Sequence, residues 1–171
     1  MMLNAGRLSF DYNPNTKLNF MRKFNLFFVI IISIMMAACE KDGFSGTEDE
    51  QIESYIKSKS LVITEKTSSG LRFILTSPNA AGAVLKKGQN VNVNYSGRLL
   101  SDKKFDSGNF GFTLGVGQVV GGFDEGIAKM KVGEKGTIIF PSSLGYGSQG
   151  AGSDIPGNSP LIFDIEIVSA R

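Results

Sequence analysis

The 171-residue chain has no histidine and no tryptophan, a single cysteine and only five prolines. Without histidine there is no Ser-His-Asp triad, no Cys-His couple and no histidine-containing metal site. One cysteine can close no internal disulfide and build no cysteine-rich metal centre. Glycine, by contrast, is abundant at 21 residues, so tight turns and shaped loops are where the chain is distinctive.

The N-terminal part reads as a leader. Met21-Arg22-Lys23 is a short basic start, and Phe24 to Met36 (FNLFFVIIISIMM) is almost wholly apolar. This run is short for a spanning helix, which needs about 20 residues. Ala37-Ala38 then precedes Cys39, the only cysteine. A charged start, a short apolar stretch and small residues make a secretory signal, and a cysteine directly after MAA resembles a bacterial lipobox. That resemblance implies cleavage before Cys39 and lipid attachment there, anchoring the protein to a membrane of the bacterial envelope. The alternatives are an uncleaved anchor, or a plain signal with a free thiol. Residues 1–20 fit no signal, so translation is expected to begin at Met21. Of 18 basic and 16 acidic residues, removing residues 1–38 takes away Arg7, Lys17, Arg22, Lys23 and Asp11. That leaves 14 and 15, a net charge of −1 in place of +2. No nucleic-acid footprint is present.

Residues 40–50 (EKDGFSGTEDE) read as a tether. Thr47 and Glu50 have capping-box spacing, and Ile52, Tyr55 and Ile56 follow at helical spacing, predicting a helix over 48–59. That helix either packs into the core or serves as an arm docking on the domain or on a second copy, giving a homodimer. From residue 61 the pattern changes to period two. LVIT, LRFIL, VNVNYSGRLL, FGFTL, GTIIF and LIFDIEIV read as strands between Gly-, Asn-, Asp- and Ser-rich turns. In the last run Leu161, Phe163, Ile165 and Ile167 share one face, and Asp164 and Glu166 the other. Phe123, Ile127 and Met130 mark one short helix packed across the sheet.

Residues 145–150, GYGSQG, carry the G-x-G-x-x-G spacing of dinucleotide-binding loops. That fingerprint requires a helix opening from the loop within a parallel βαβ unit. Here AGSDIPGNSP follows, and Gly152, Pro156, Gly157 and Pro160 forbid a helix. Gly145, Gly147, Gly150 and Gly152 instead suggest a long, tight loop with positive φ angles, of the kind that often binds something.

Three stretches together, VNYSGRLLSDKKFDSG (93–108), VVGGFDEGIAKMKVGEKGTIIFPSSLGYG (119–147) and IPGNSPLIFDIEIV (155–168), closely resemble the FKBP-type peptidyl-prolyl cis-trans isomerases. The match covers about residues 84–169, and with the lipobox and helix it resembles secreted bacterial members. The domains expected are a non-native upstream extension over 1–20, a lipoprotein signal peptide over 21–38, a lipidated tether and helix over 39–60, and an isomerase domain over 61–171. The resemblance implies an α+β fold: a curved antiparallel sheet wrapped over one short helix, with an N-terminal helical arm. It implies a hydrophobic pocket for the proline ring of an Xaa-Pro client, with no cofactor or metal. Carried over by position, Phe123 is the pocket floor, and Tyr95, Phe105, Phe110, Val119, Val120 and Phe163 stand around it. The Tyr146 hydroxyl and Ile155 N–H bond substrate carbonyls, and Asp106 points to the rim. Asp106, Tyr146 and Phe163 are the catalytic candidates. By itself Asp106 reads as a turn residue in FDSG. Three departures stand out: Phe123 where tryptophan is usual, a short DSGNF segment without the basic residue that often holds the aspartate, and Ala151 and Asp154 on the loop. The changed floor and Asp154 suit an alternative, a non-catalytic module that holds proline-containing or unfolded clients.

Overall fold

Residues 44–171 are described by the computed structural model; the expectations placed on the leader and Cys39 lie outside the described residues. The order is α1 (Glu48–Ser58), β1 (Glu65–Lys66), β2 (Arg72–Ser77), β3 (Asn90–Leu99), β4 (Lys104–Thr113), α2 (Gly121–Ile127), β5 (Lys135–Phe140), a 3-10 turn (Ser142–Leu144) and β6 (Leu161–Ala170). The strands form one antiparallel six-stranded sheet in the order β1-β2-β5-β6-β3-β4. The C-terminal strand β6 therefore inserts at the centre of the sheet, between β5 and β3.

The two helices cover opposite faces. Phe73, Ile138, Phe140, Leu161, Phe163, Ile165 and Ile167 join Phe123, Ile127 and Met130 in the main core. The intervening Ile74, Ile139 and Ile162 join Ile52, Tyr55 and Ile56 of α1 in a second cluster. This explains why β5 ends (Ile138 to Phe140) and β6 begins (Leu161 to Phe163) in an unbroken apolar run: where α1 and α2 lie on either side, a strand is buried on both faces. Beyond α1 the outer face turns polar, and Asp164 accepts from Thr137 (2.6 Å) and Arg98, while Glu166 accepts from Asn94 (3.1 Å).

The helix α1 begins with the expected capping box: Thr47 N–H donates to Glu50 (2.7 Å) and Glu50 N–H to the Thr47 hydroxyl (3.3 Å). Its apolar stripe packs on its own sheet. Arg72, fully buried in β2, donates to Asp49 and, at 2.7 Å, to Glu53 across the helix.

Two expected elements differ. LVIT is not a strand. Leu61 and Ile63 pack on the α1 cluster and Val62 is exposed, but only Thr64 bonds to β2: its N–H donates to Phe73 O (2.8 Å) and its hydroxyl accepts from Leu75 N–H (2.9 Å). The alternation arises from bridging helix to sheet, and pairing starts at Glu65. The strand containing FGFTL, in turn, begins six residues earlier, at Lys104. DSGNF has poor strand propensity, yet it pairs with β3 from Gly97↔Asp106 to Val93↔Phe110. Side-chain amides support this pairing: Asn109 donates to Asn92 and Asn94, both at 2.8 Å.

Candidate functional site

A cavity of about 590 Å³ opens between β3, β4, the start of α2 and the loop after the 3-10 turn. It is lined by Tyr95, Asp106, Phe110, Gln118, Val119, Val120, Phe123, Tyr146 and Phe163. Phe123 forms its floor and is buried. The Phe163 ring meets it edge-on at 5.0 Å, and the Tyr95 ring does so at 6.0 Å. Such edge-to-face pairs fix ring orientation as well as burying area. Phe110 and Tyr146 form the rim, with 38% and 40% of their surface exposed. An apolar pocket with a few polar groups at its mouth is what a small apolar ligand fragment needs.

Glycines make this packing possible at defined points. A side chain on Gly97 would put Cβ 2.6 Å from the Phe105 ring and 2.8 Å from Phe163. On α2, Gly122 lies against the Phe140 ring and Gly126 against Ile138, so the short helix sits close enough to the sheet for Phe123 to reach the floor.

Asp106 is held without a basic neighbour. The Tyr95 hydroxyl donates to one carboxylate oxygen at 2.7 Å, and Ser107 N–H to the other at 2.8 Å. The hydrogen bond to Asp106 is the main reason the Tyr95 hydroxyl is pushed up to about 12, with burial and the Asp106 charge adding to it. Tyr95 thus keeps its proton, and remains a donor to Asp106, at any ordinary pH.

No helix follows GYGSQG; residues 145–160 form an irregular loop. Gly147, Gly150 and Gly152 take positive φ, whereas Gly145 does not (φ −121°). Gly150 is also crowded: a Cβ there would meet Gly157 N at 2.8 Å as the loop crosses itself. Lys103 in the β3–β4 turn bridges to Asp154 at 3.0 Å, tying down the loop tip.

Two expected pocket residues stand elsewhere. Phe105 is outside the lining; it packs edge-on against Phe163 at 5.6 Å and supports that wall from behind. Ile155 is buried in the core cluster, and its N–H donates to Ala151 O at 3.1 Å, closing a small hairpin with Ala151 N–H to Ile155 O at 2.8 Å. The expected donation from Ile155 to a ligand is therefore not available. The N–H of Val120 has no acceptor among the described residues; Val120 caps α2 with φ −61° and ψ 146° and lines the cavity. Gln118 also lines the cavity and was not foreseen. Its carbonyl accepts from Thr113 N–H at 2.7 Å, pinning the loop before α2.

A family model described as FKBP-type peptidyl-prolyl cis-trans isomerase matches residues 82–168. The chain is 44% identical over 110 residues to FK506-binding protein 2 of Dictyostelium discoideum, covering 61% of this chain and 80% of that protein. It is 38% identical over 107 residues to the peptidyl-prolyl cis-trans isomerase Fkbp12 of Drosophila melanogaster, covering 60% of this chain and 99% of the relative. Among solved structures it is similar to AtFKBP13, with a TM-score of 0.57 and 36% identity, over 61% of this chain and 96% of the other.

Proposed function

Because this chain belongs to the FKBP-type peptidyl-prolyl cis-trans isomerases, we propose that the aromatic cavity takes the proline ring of an Xaa-Pro segment and binds its amide best when twisted. The cis and trans forms of such a bond differ by about 0.5–1 kcal/mol, yet rotation meets a barrier of about 18–20 kcal/mol. The barrier is amide resonance, which puts charge on the carbonyl oxygen. No covalent bond is made or broken, so neither nucleophile nor metal is needed, consistent with a chain that lacks histidine.

Phe123, Phe163 and Tyr95 would hold the ring, while the preceding residue turns at the mouth. Apolar walls disfavour the polar planar amide relative to the twisted one, and a difference in binding between the two is what accelerates rotation. The Tyr146 hydroxyl would bond a substrate carbonyl. The Val120 N–H takes the second donor role, since Ile155 N–H is already bonded. Asp106, oriented by Tyr95 and Ser107, would face the carbonyl carbon. The observation that carries this reading is the floor: Phe123 held edge-on by Phe163 and Tyr95 beneath a cavity of about 590 Å³.

A protease-free isomerisation assay on Xaa-Pro peptides tests it. Tyr146→Phe is expected to lower kcat/KM about fivefold to tenfold, the loss of one hydrogen bond, and Asp106→Ala to lower it as well. Phe163→Ala should abolish the rate, but truncating a buried Phe costs about 3–5 kcal/mol of stability. Phe163→Leu, with a milder loss and intact folding, carries that arm. Variants at wild-type rate would remove these residues from the site.

We also propose that the protein is a lipid-anchored envelope isomerase acting on Xaa-Pro-containing clients. Support comes only from the leader and Cys39, since the relatives above come from eukaryotes. Mass spectrometry of the mature N-terminus, with Cys39→Ser as control, tests it; an unmodified thiol in the membrane fraction would reject lipidation. Homodimerisation through the arm would require α1 to exchange between copies, because its apolar stripe is buried on its own sheet. Light scattering with and without residues 40–60 decides it.

A further inference from the structure

We infer that Glu48, on the opposite side of the sheet from the cavity floor, positions Tyr146 and so tunes isomerisation from the N-terminal helix. This rests on the placement of Tyr146 over the substrate amide proposed above. The connection consists of hydrogen bonds that can be followed atom by atom. Ser142 opens the 3-10 turn leading into the loop and is buried. Its N–H donates to one Glu48 carboxylate oxygen at 2.6 Å and its hydroxyl to the other at 2.7 Å. The Ser142 carbonyl then accepts from both Gly145 N–H and Gly147 N–H, each at 2.8 Å. Those two amides flank Tyr146. A carboxylate clamped on both donors of Ser142 thus fixes the carbonyl that fixes the tyrosine's neighbours, and charge-assisted bonds of this kind are the stronger class.

Glu48 is not needed to hold α1 in place. The helix is docked by Ile52, Tyr55 and Ile56, by the Arg72 bonds to Asp49 and Glu53, and by the Tyr55 hydroxyl on Asp102 at 2.7 Å. At the other end of α1, Lys59 also reaches Asp102 at 2.6 Å, next to the Lys103 that bridges to Asp154. The helix therefore touches the loop at its root through Glu48 and, through the β3–β4 turn, near its tip. Removing Glu48 alone leaves the docking intact and loosens the root.

The test uses the full chain with Glu48→Ala, Glu48→Gln, Tyr146→Phe and the Glu48→Ala/Tyr146→Phe double variant. Three quantities are read: kcat/KM, amide exchange at Gly145 and Gly147, and the urea midpoint. Glu48→Ala is expected to lower kcat/KM about threefold to tenfold, with faster exchange at Gly145 and Gly147 but not in β6, and with a lower midpoint, since the buried Ser142 loses the acceptor of both its donors. Glu48→Gln, which keeps one acceptor oxygen, should recover part of the rate. The double variant should be no slower than Tyr146→Phe alone, since coupled residues are not additive. Losses that multiply in the double variant, or Glu48→Ala at full rate while Tyr146→Phe is slow, overturn this inference alone. Tyr146→Phe at full rate overturns the Tyr146 role, and this inference with it. Should Glu48→Ala fail to fold, Glu48→Gln carries the same comparisons.

Discussion

At the scale of single residues the site is built from groups whose polar partners are already assigned, which makes the unassigned ones informative. Asp106 is bonded by Tyr95 and Ser107, Gln118 by Thr113, and Ile155 N–H by Ala151. Val119 N–H and Val120 N–H, at the cavity wall, are left over among the described residues, and Val120 is the one that caps α2. Proline at this position would remove the donor and keep the backbone, since Val120 already sits at φ −61° and proline fixes φ near about −65°. Val120→Pro is therefore expected to lower kcat/KM about tenfold, the loss of one hydrogen bond to a substrate carbonyl, while changing stability by less than about 1 kcal/mol. The same substitution at Ile155 breaks the Ala151 hairpin and should destabilise the loop. Isomerisation kinetics and urea midpoints measured side by side check both; a Val120→Pro variant at wild-type rate with an unchanged midpoint would return the donor role to another group. None of this was legible in the sequence. The aromatic floor and walls could be read from joint spacing, because ring identity is written in the residue type. A free backbone N–H has no residue type, and only the folded hydrogen-bond pattern reveals which ones are unclaimed.

At the scale of elements, α1 is joined to the sheet by charge as well as by apolar packing, and the charges give it a pH limit. The acids of its first turn divide the work: Glu48 bonds Ser142, Asp49 bonds Arg72 and Glu50 completes the capping box. Hydrogen bonds from Arg72 hold Asp49 and Glu53 below the usual carboxylate range, and those from Lys59 and Tyr55 do the same for Asp102. A depressed folded pKa means that the unfolded state binds protons first as pH falls. The contribution is thus complete above the unfolded value of about 4 and is lost as pH drops through the folded one. Solvent exposure of these carboxylates keeps each contribution small, but all three weaken together. The helix is expected to release below about pH 4, and Arg72→Met should flatten the part of that acid limb due to Asp49 and Glu53. Far-UV circular dichroism and urea midpoints taken across the acid range measure it; an identical acid limb in Arg72→Met would show that Arg72 is not the cause. The sequence announced α1 through its cap and spacing. It misled at LVIT and DSGNF, where burial against a helix and side-chain amide bonding to a neighbouring strand overrode local propensity.

For the whole molecule, the order of the strands decides how its parts depend on one another. The sheet places β6, the last strand, between β5 and β3, and β6 carries Phe163 to the cavity on one face and Ile162 to α1 on the other. Helix, sheet and site therefore meet on the same central strands, and none can close its core before the C-terminus is in place. At neutral pH, with the α1 charge contacts formed, loss of α1 would expose Ile139 and Ile162, both fully buried, at a cost of about 25 cal/mol per Å² of apolar surface. Residual structure lacking α1 should then be too poorly covered to persist as a populated state, and urea unfolding should be one cooperative transition. Helix loss followed in the far-UV and loss of the tyrosine environment in the near-UV, where Tyr95 and Tyr146 report on the site and Tyr55 on the helix, are expected to coincide at neutral pH. Below about pH 4, where the Arg72 bonds to Asp49 and Glu53 are lost as these two carboxylates take up protons, the far-UV change should come first. Non-coincident transitions at neutral pH would mean that α1 is an independent unit, and a site that keeps full activity after the helix has melted would sever the link between Glu48 and Tyr146 as well.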